Sequence, residues 1–299
     1  MRFFVFLVLI SSHLLAAPQI VLTFDNLPLE KTKLFNAKER TELFLEALSK
    51  EGVRTVFFAI GTTLARASPK KMECVEQIAA HGHRIANHSF SHPFLSTKEV
   101  AVYMEDVRLC EAYISQFATY APWFRYPYLD VGLDPLPGAS IEKARECAQK
   151  LQERGFLNGY VTLDSFDWFI ESLLQKALDS GKKIDRRALE TFYVHHLEQT
   201  IQRYLDTKSE LEKSLFETHV ILFHANDLNA LCLPAVIKML RTSGWHIVDP
   251  EEAFQPKNAL SEFRAFIDFK VKQLTHDPHP IHSSERTTRE FKGQVLHEP

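Results

Sequence analysis

A few polar residues stand where polarity is costly. Asp25 follows the apolar run Val21-Leu22-Thr23-Phe24. A carboxylate at the end of a buried strand destabilises the chain unless it is paired. Asn26 comes next and can donate, accept or coordinate weakly through its amide oxygen. His88-Ser-Phe-Ser-His92 sets two imidazoles four residues apart, a spacing from which one turn or tight loop can hold a metal ion. Arg125, in Phe124-Arg-Tyr-Pro-Tyr128, interrupts an apolar segment and requires a carboxylate partner. Pro127 stiffens the chain there, so the Tyr128 amide can be held toward a ligand. Asp167-Trp168 and Leu222-Phe-His224 supply an acid, an aromatic wall and a histidine. A carboxylate beside an imidazole raises its pKa and fixes its tautomer, which suits a general acid. Each residue alone also fits a structural role: a cap or ion pair for Asp25, a backbone-bonded core histidine for His224. An H-x-x-x-H pair is by itself a weak metal signal.

These residues share one position. Asp25, His88 and His92, Arg125, Asp164 and Asp167, and His224 all lie at the C-terminal ends of segments that read as strands. In α/β folds that edge is where sites are built. The strands read as Gln19–Asp25, Arg54–Ile60, Arg84–Ser89, Trp123–Tyr128, Gly159–Asp164, Thr218–Ala225 and Trp245–Val248. Helical periodicity falls between them over Ala37–Glu51, Pro69–His81, Thr97–Ser115, Ser140–Arg154 and Leu233–Thr242. Ser96, with Glu99 three residues on, reads as a capping box. Seven β/α units in one direction predict a parallel sheet with right-handed crossovers. A barrel and a doubly wound sheet fit this pattern equally. Residues 168–213 read as a helical insert before the sixth strand, and Phe192, Tyr193, His195 and His196 within it have no assigned role. Ala259–Leu274 reads as one more helix, and THDPHPIHSSERTTRE as a polar loop. His276, His279 and His282 in that stretch could catch a metal, but they read as solvated tail residues.

Length and composition narrow the function class. The chain has 299 residues and a formal net charge of −3. No basic excess is available to neutralise phosphates, which argues against a general nucleic-acid binder. Hydrophobic residues make up 45% and charged ones 24%, values of an ordinary globular chain. Residues 1–17 place Arg2 before the apolar run Phe3–Ile10, with Ala16-Ala17 as small residues for cleavage. This is the layout of a secretory signal peptide and is too short for a transmembrane span. Leu15 departs from the A-x-A pattern, which leaves an uncleaved anchor open, and a hydrophobic first strand is the competing reading. Four cysteines do not make a disulfide scaffold in a chain of this length. Cys110 and Cys147 lie on helix-like segments as apolar fillers.

The ordered set T-F-D-N, H-S-F-S-H, R-Y-P-Y, D-S-F-D-W and L-F-H resembles the five motifs of the polysaccharide deacetylase family, carbohydrate esterase family 4, also called the NodB-homology domain. The resemblance runs from about Gln19 to Val248. It implies a distorted (β/α)7 barrel over 18–255, followed by a C-terminal helix and polar tail over 256–299. It also implies an exported hydrolase that removes acetyl groups from glycans such as peptidoglycan, chitin or xylan with a divalent metal, usually zinc. Carried over by position, it makes Asp25 the general base, Arg125 its partner, and His88 and His92 metal ligands. It gives the Tyr128 amide to the oxyanion, and makes His224 the general acid tuned by Asp167. Trp168 and Leu222 would line the acetyl pocket, with Tyr126 and Phe90 as further aromatic candidates for sugar contact. The pattern departs from the family at Asn26, where an aspartate usually serves as third metal ligand. It departs again at Leu27, where a glycine is common and a leucine would narrow the mouth. The Asn26 departure motivates a second reading, a non-catalytic glycan binder, and the resemblance to related barrels leaves a third, a deacylase or cyclic-amide hydrolase acting on a non-sugar substrate. Nothing in the sequence indicates an oligomeric state.

Overall fold

The computed structural model describes residues 17–207, 218–274 and 284–296. The proposed signal segment, apart from its last residue, and His276, His279 and His282 lie outside these residues. Eight strands form one parallel sheet: β1 (Gln19–Asp25), β2 (Val56–Ala59), β3 (Arg84–Asn87), β4 (Tyr120–Phe124), β5 (Leu157–Asn158), β6 (Leu163–Asp164), β7 (Thr218–His224) and β8 (His246–Ile247). The strand order is β5-β4-β3-β2-β1-β7-β6, with β8 added beside the start of β1. The helices are α1 (Ala37–Lys50), α2 (Gly61–Ala65), α3 (Pro69–Ala80), α4 (Val100–Ile114), α5 (Ile141–Glu153), α6 (Asp167–Asp179), α7 (Arg186–Thr207), α8 (Asp227–Thr242), α9 (Pro250–Ala253), α10 (Phe263–Leu274) and α11 (Ser284–Val295). Two apolar clusters form the core. One holds Phe24, Phe44, Phe57 and Phe223, and the other holds Phe58, Tyr103, Phe124 and Phe263.

Only the end of the expected fifth strand, Gly159–Asp164, forms a strand, β6, while the short β5 just before it lies on the opposite edge of the sheet. β5 pairs with β4 and β6 pairs with β7. A flat sheet in this order would hold its edges about 29 Å apart, six spacings of ~4.8 Å. The link from Asn158 to Leu163 is five residue steps and spans at most ~17 Å. The sheet must therefore curl, and the result is a distorted (β/α)7 barrel whose seam is the stretch 159–162. Gly159 permits the turn-off: a Cβ there would meet the Phe58 ring at 2.6 Å.

Other elements differ from expectation for local reasons. Ser96 does not cap α4, because its hydroxyl and amide both bind Asp130, at 2.7 Å each. The helix begins three residues later than expected, with Glu99 at its N-cap position. α8 starts at Asp227, six residues before the expected Leu233, with Asn226 as the cap that accepts from the Asn229 amide. Pro234 therefore sits inside the helix. The segment 284–295, part of the expected polar loop, is α11, and it packs Phe291 against Phe192 of α7. No helix among the described residues is long and apolar enough to cross a membrane. All four cysteines are buried and free.

Candidate active site

Register explains why distant polar residues meet. β1 pairs with β7 so that Asp25 lies opposite His224, and with β2 so that Asp25 lies opposite Phe58. β3 pairs with β4 with Asn87 opposite Phe124, which brings the next residues, His88 and Arg125, to the same level. Asp164 ends β6 opposite Leu222.

Asp25 is buried, and its Oδ1 accepts from Arg125 Nη1 at 2.7 Å. The same nitrogen donates to Thr23 Oγ1 at 2.8 Å. Arg125 Nε donates to the Gly159 carbonyl at 2.8 Å, and Nη2 reaches the Tyr160 carbonyl at 3.4 Å. The guanidinium lies 4.0 Å from the Phe58 ring centroid. The barrel seam thus serves Arg125, because its unpaired carbonyls accept what a closed ladder would have used. Burial pushes the Asp25 carboxyl up, but Arg125, His88 and His224 together pull it down further, and it ends below the ordinary range.

His88 donates from Nδ1 to the Arg125 carbonyl at 2.9 Å. A carbonyl only accepts, so the neutral ring carries its proton on Nδ1 and leaves Nε2 bare. Nε2 lies 3.4 Å from Asp25 Oδ2 and 3.1 Å from His92 Nε2. Burial lowers the pKa of both rings, to about 3 for His92. Their loop is clamped. Asn87 Oδ1 accepts from the Ser89 amide, Ser89 Oγ accepts from the His92 amide, and Asp106 accepts from the Phe90 and Ser91 amides. Ser89 and His92 both take left-handed φ angles, +62° and +58°. Phe90 packs onto Gly61, where a Cβ would lie 2.3 Å from its ring.

On the other side, His224 Nδ1 donates to Asp167 Oδ1 at 2.8 Å. Asp167 is fully buried. Its Oδ2 accepts from the His224 amide at 2.7 Å, Asn226 Nδ2 at 2.9 Å and Asn229 Nδ2 at 2.5 Å. The Trp168 amide donates to Oδ1 at 2.8 Å. Burial pulls the His224 imidazole down, but Asp167 outweighs it, helped by Asp25 and Asp164, and the ring is raised to about 9. Burial also pushes Asp164 up, to about 6.

The expected metal ligands present a suitable donor set in part. The His88 and His92 Nε2 atoms converge, and the buried Asn26 Oδ1 has no hydrogen-bond partner. An orphaned buried acceptor needs a donor or a cation. Asn26 holds a φ of +70°, which asparagine tolerates better than most residues. Among the described residues, no group of three or more His, Cys, Asp or Glu is arranged to hold a metal, as expected when the third ligand is an amide. The set fits a weakly held divalent cation.

The aromatic expectations fare unevenly. Trp168 is 51% exposed, but Tyr126 is 3% exposed and packed against Tyr103, Phe124 and Phe263, so it does not line a groove. Leu222 is buried, as is Leu27, which joins the core instead of narrowing the mouth. Phe90 is half-buried. Tyr128 is 54% exposed, with its ring 3.8 Å from Phe94 and 4.4 Å from His92. The turn uses the amides of Leu129 and Asp130 for its own bonds and not that of Tyr128. Asp130, which sequence reasoning missed, ties this turn to Ser96 of the loop before α4.

The family model described as "Polysaccharide deacetylase" matches residues 15–146. A peptidoglycan-N-acetylglucosamine deacetylase of Bacillus cereus is 28% identical over 151 residues, 50% of this chain and 46% of that protein. A chitin deacetylase of Colletotrichum lindemuthianum is 25% identical over 177 residues, 50% of this chain and 71% of that protein. The chain thus spans less than half the length of the Bacillus cereus relative. The crystal structure of a polysaccharide deacetylase from Bacillus cereus superposes with a TM-score of 0.52 at 22% identity. That match covers 81% of this chain and 96% of the other, a likeness of fold.

Proposed function

Because residues 15–146 match the polysaccharide deacetylase family model, we propose that the chain belongs to that family and is an exported, metal-dependent hydrolase. It removes the acetyl group from an N-acetylated glycan such as peptidoglycan or a chitooligosaccharide. One observation carries the reading: two groups of opposite protonation stand at paired positions of β1 and β7. Asp25 is held ionised beside Arg125, and His224 is held protonated beside Asp167. Amide hydrolysis needs that combination at a single pH.

In this reading Asp25 takes a proton from the attacking water at Oδ2, the oxygen that Arg125 leaves open. The Tyr128 amide donates to the oxygen that gains charge on the former acetyl carbonyl. His224 gives its Nε2 proton to the sugar nitrogen as the C–N bond breaks, while Nδ1 stays on Asp167. Acetate and a free amine leave. Trp168 and Leu222 flank the acetyl methyl. His88, His92 and Asn26 would hold a divalent cation, most simply zinc, which when bound polarises the acetyl carbonyl.

The absence of a third anionic ligand among the described residues favours one second reading, a glycan binder that does not turn over. Acetate release from N-acetylglucosamine oligomers and peptidoglycan separates the two, measured on metal-stripped protein with and without added zinc. The hydrolase reading expects zinc-dependent release that Asp25→Asn abolishes. Glycan binding without release under either condition would leave only the binder.

A further inference from the structure

The helical insert buries a tyrosine with no evident task in packing alone. Tyr193 of α7 is fully buried, and its hydroxyl donates to Asn229 Oδ1 at 2.8 Å. Asn229, itself fully buried, donates from Nδ2 to Asp167 Oδ2 and to the His224 carbonyl, the latter at 2.9 Å. A carboxylate and a carbonyl only accept, so both require the amino end of the Asn229 amide. Tyr193 meets the carbonyl end with a donor. The amide is therefore held from both sides, and its flipped form would set oxygen against oxygen.

We propose that Tyr193 is a positioning residue for His224. Through Asn229 it fixes the Asp167 carboxylate, so that Oδ1 faces His224 Nδ1 and the imidazole keeps one orientation. The insert then has a chemical duty: α7 supplies the far end of a chain of bonds that runs from Tyr193 through Asn229 and Asp167 to His224. The inference rests on the hydrolase reading only for its effect on turnover. Several other groups bear on this region. Asp25 of β1, Asp164 of β6, and His88 and His92 face His224 electrostatically. Glu171 of α6 accepts from the Leu228 amide, and Asp227 of α8 pairs with the buried Arg40 of α1. None of these touches the Tyr193–Asn229 bond, so a change at Tyr193 leaves the surrounding charges in place.

The test compares wild type with Tyr193→Phe, Asn229→Ala and the double variant. The first readout is the far-downfield proton signal of His224 Nδ1, assigned by its loss in His224→Asn. It needs neither substrate nor metal. The second is kcat against KM on an N-acetylglucosamine oligomer. Tyr193→Phe should broaden or shift the Nδ1 signal and lower kcat about fivefold with KM unchanged, the scale of one neutral hydrogen bond. In the Asn229→Ala background the same change should add nothing, because the path to His224 is already cut. Asn229→Ser replaces Asn229→Ala if that variant does not fold. An unmoved Nδ1 signal in Tyr193→Phe, or additive effects in the double variant, overturns the inference. If the signal moves as expected and wild type releases no acetate, the positioning stands and the hydrolase reading falls.

Discussion

Asp25 and Asp167 are both buried carboxylates beside a histidine, yet their charges are satisfied in opposite ways. Asp25 is paired with Arg125, a cation that does not titrate in the working range. Asp167 is bonded by four neutral N–H groups, from His224, Asn226, Asn229 and Trp168. Neutral donors hold the carboxylate in place but leave its unit charge uncancelled. The neighbouring histidines follow from this. His88 lies beside a carboxylate that Arg125 already neutralises, so burial lowers its pKa and its Nε2 stays bare. His224 lies beside an uncancelled carboxylate and is raised to about 9. A histidine at a carboxylate thus becomes ligand or acid according to the charge its partner has to spare.

The largest effect should come from removing the cation. Arg125→Met leaves Asp25 buried without its partner, a change that typically costs about 3–5 kcal/mol. Adding Asp25→Asn should recover part of that loss, because the stranded charge is removed as well. Urea unfolding of the two variants checks this. If Arg125→Met costs under about 1 kcal/mol, as an exposed pair would, the contrast between the two carboxylates fails.

Next in size is removal of the uncancelled charge. Asp167→Asn removes the largest influence that raises His224 and leaves only Asp25 and Asp164 against burial, so its pKa should drop well below about 9. Since His224 must be protonated to act, wild-type activity should fall as pH rises through about 9. In Asp167→Asn the alkaline limb should move down with it, and the rate at pH 7.5 should fall by ~10²–10⁴. The stability sign is fixed in the same way. A folded pKa above the unfolded one stabilises fully below about 6.5 and loses that contribution as pH rises through about 9. Asp25, with its pKa lowered, contributes above the ordinary carboxylate range and loses the contribution as pH falls through its folded value. Unfolding free energies of wild type and Asp167→Asn across pH should therefore converge on the alkaline side.

The two halves were also unequally legible in the sequence. Asp25 and Arg125 each break an apolar run near a strand end, so their cost announces them, and His88 and His92 are announced by their four-residue spacing after a strand. Asp167 and His224 were visible from their places near strand ends. Their supports were not. Asn226 and Asn229 follow the L-F-H strand end directly, but α8 was expected only from Leu233, which hid their place at its N-terminus. Tyr193 lies in a long helix whose apolar residues give no hint of a partner 36 positions away. Asp106 and Asp130 act on backbone amides, for which no residue spacing exists. The separate strand β5, on the far edge from β6, was hidden too. Periodicity reports an extended apolar segment and not which edge of the sheet each end joins.

The smallest effect returns to the neutral amide in the Arg125 half. Asn26→Asp adds one negative charge beside a histidine pair whose only carboxylate neighbour is already paired with Arg125. Zinc affinity should rise about tenfold or more, equivalent to about 1.4 kcal/mol, read by calorimetric titration of metal-stripped protein. The left-handed backbone at this position accepts aspartate, so the fold should be unaffected. If each half keeps its own charge balance, the His224 titration should not move by more than a few tenths of a unit. A large shift there would mean that His224 answers to the summed charge of the cleft and not to Asp167, and the division into two independently balanced carboxylates would have to be given up.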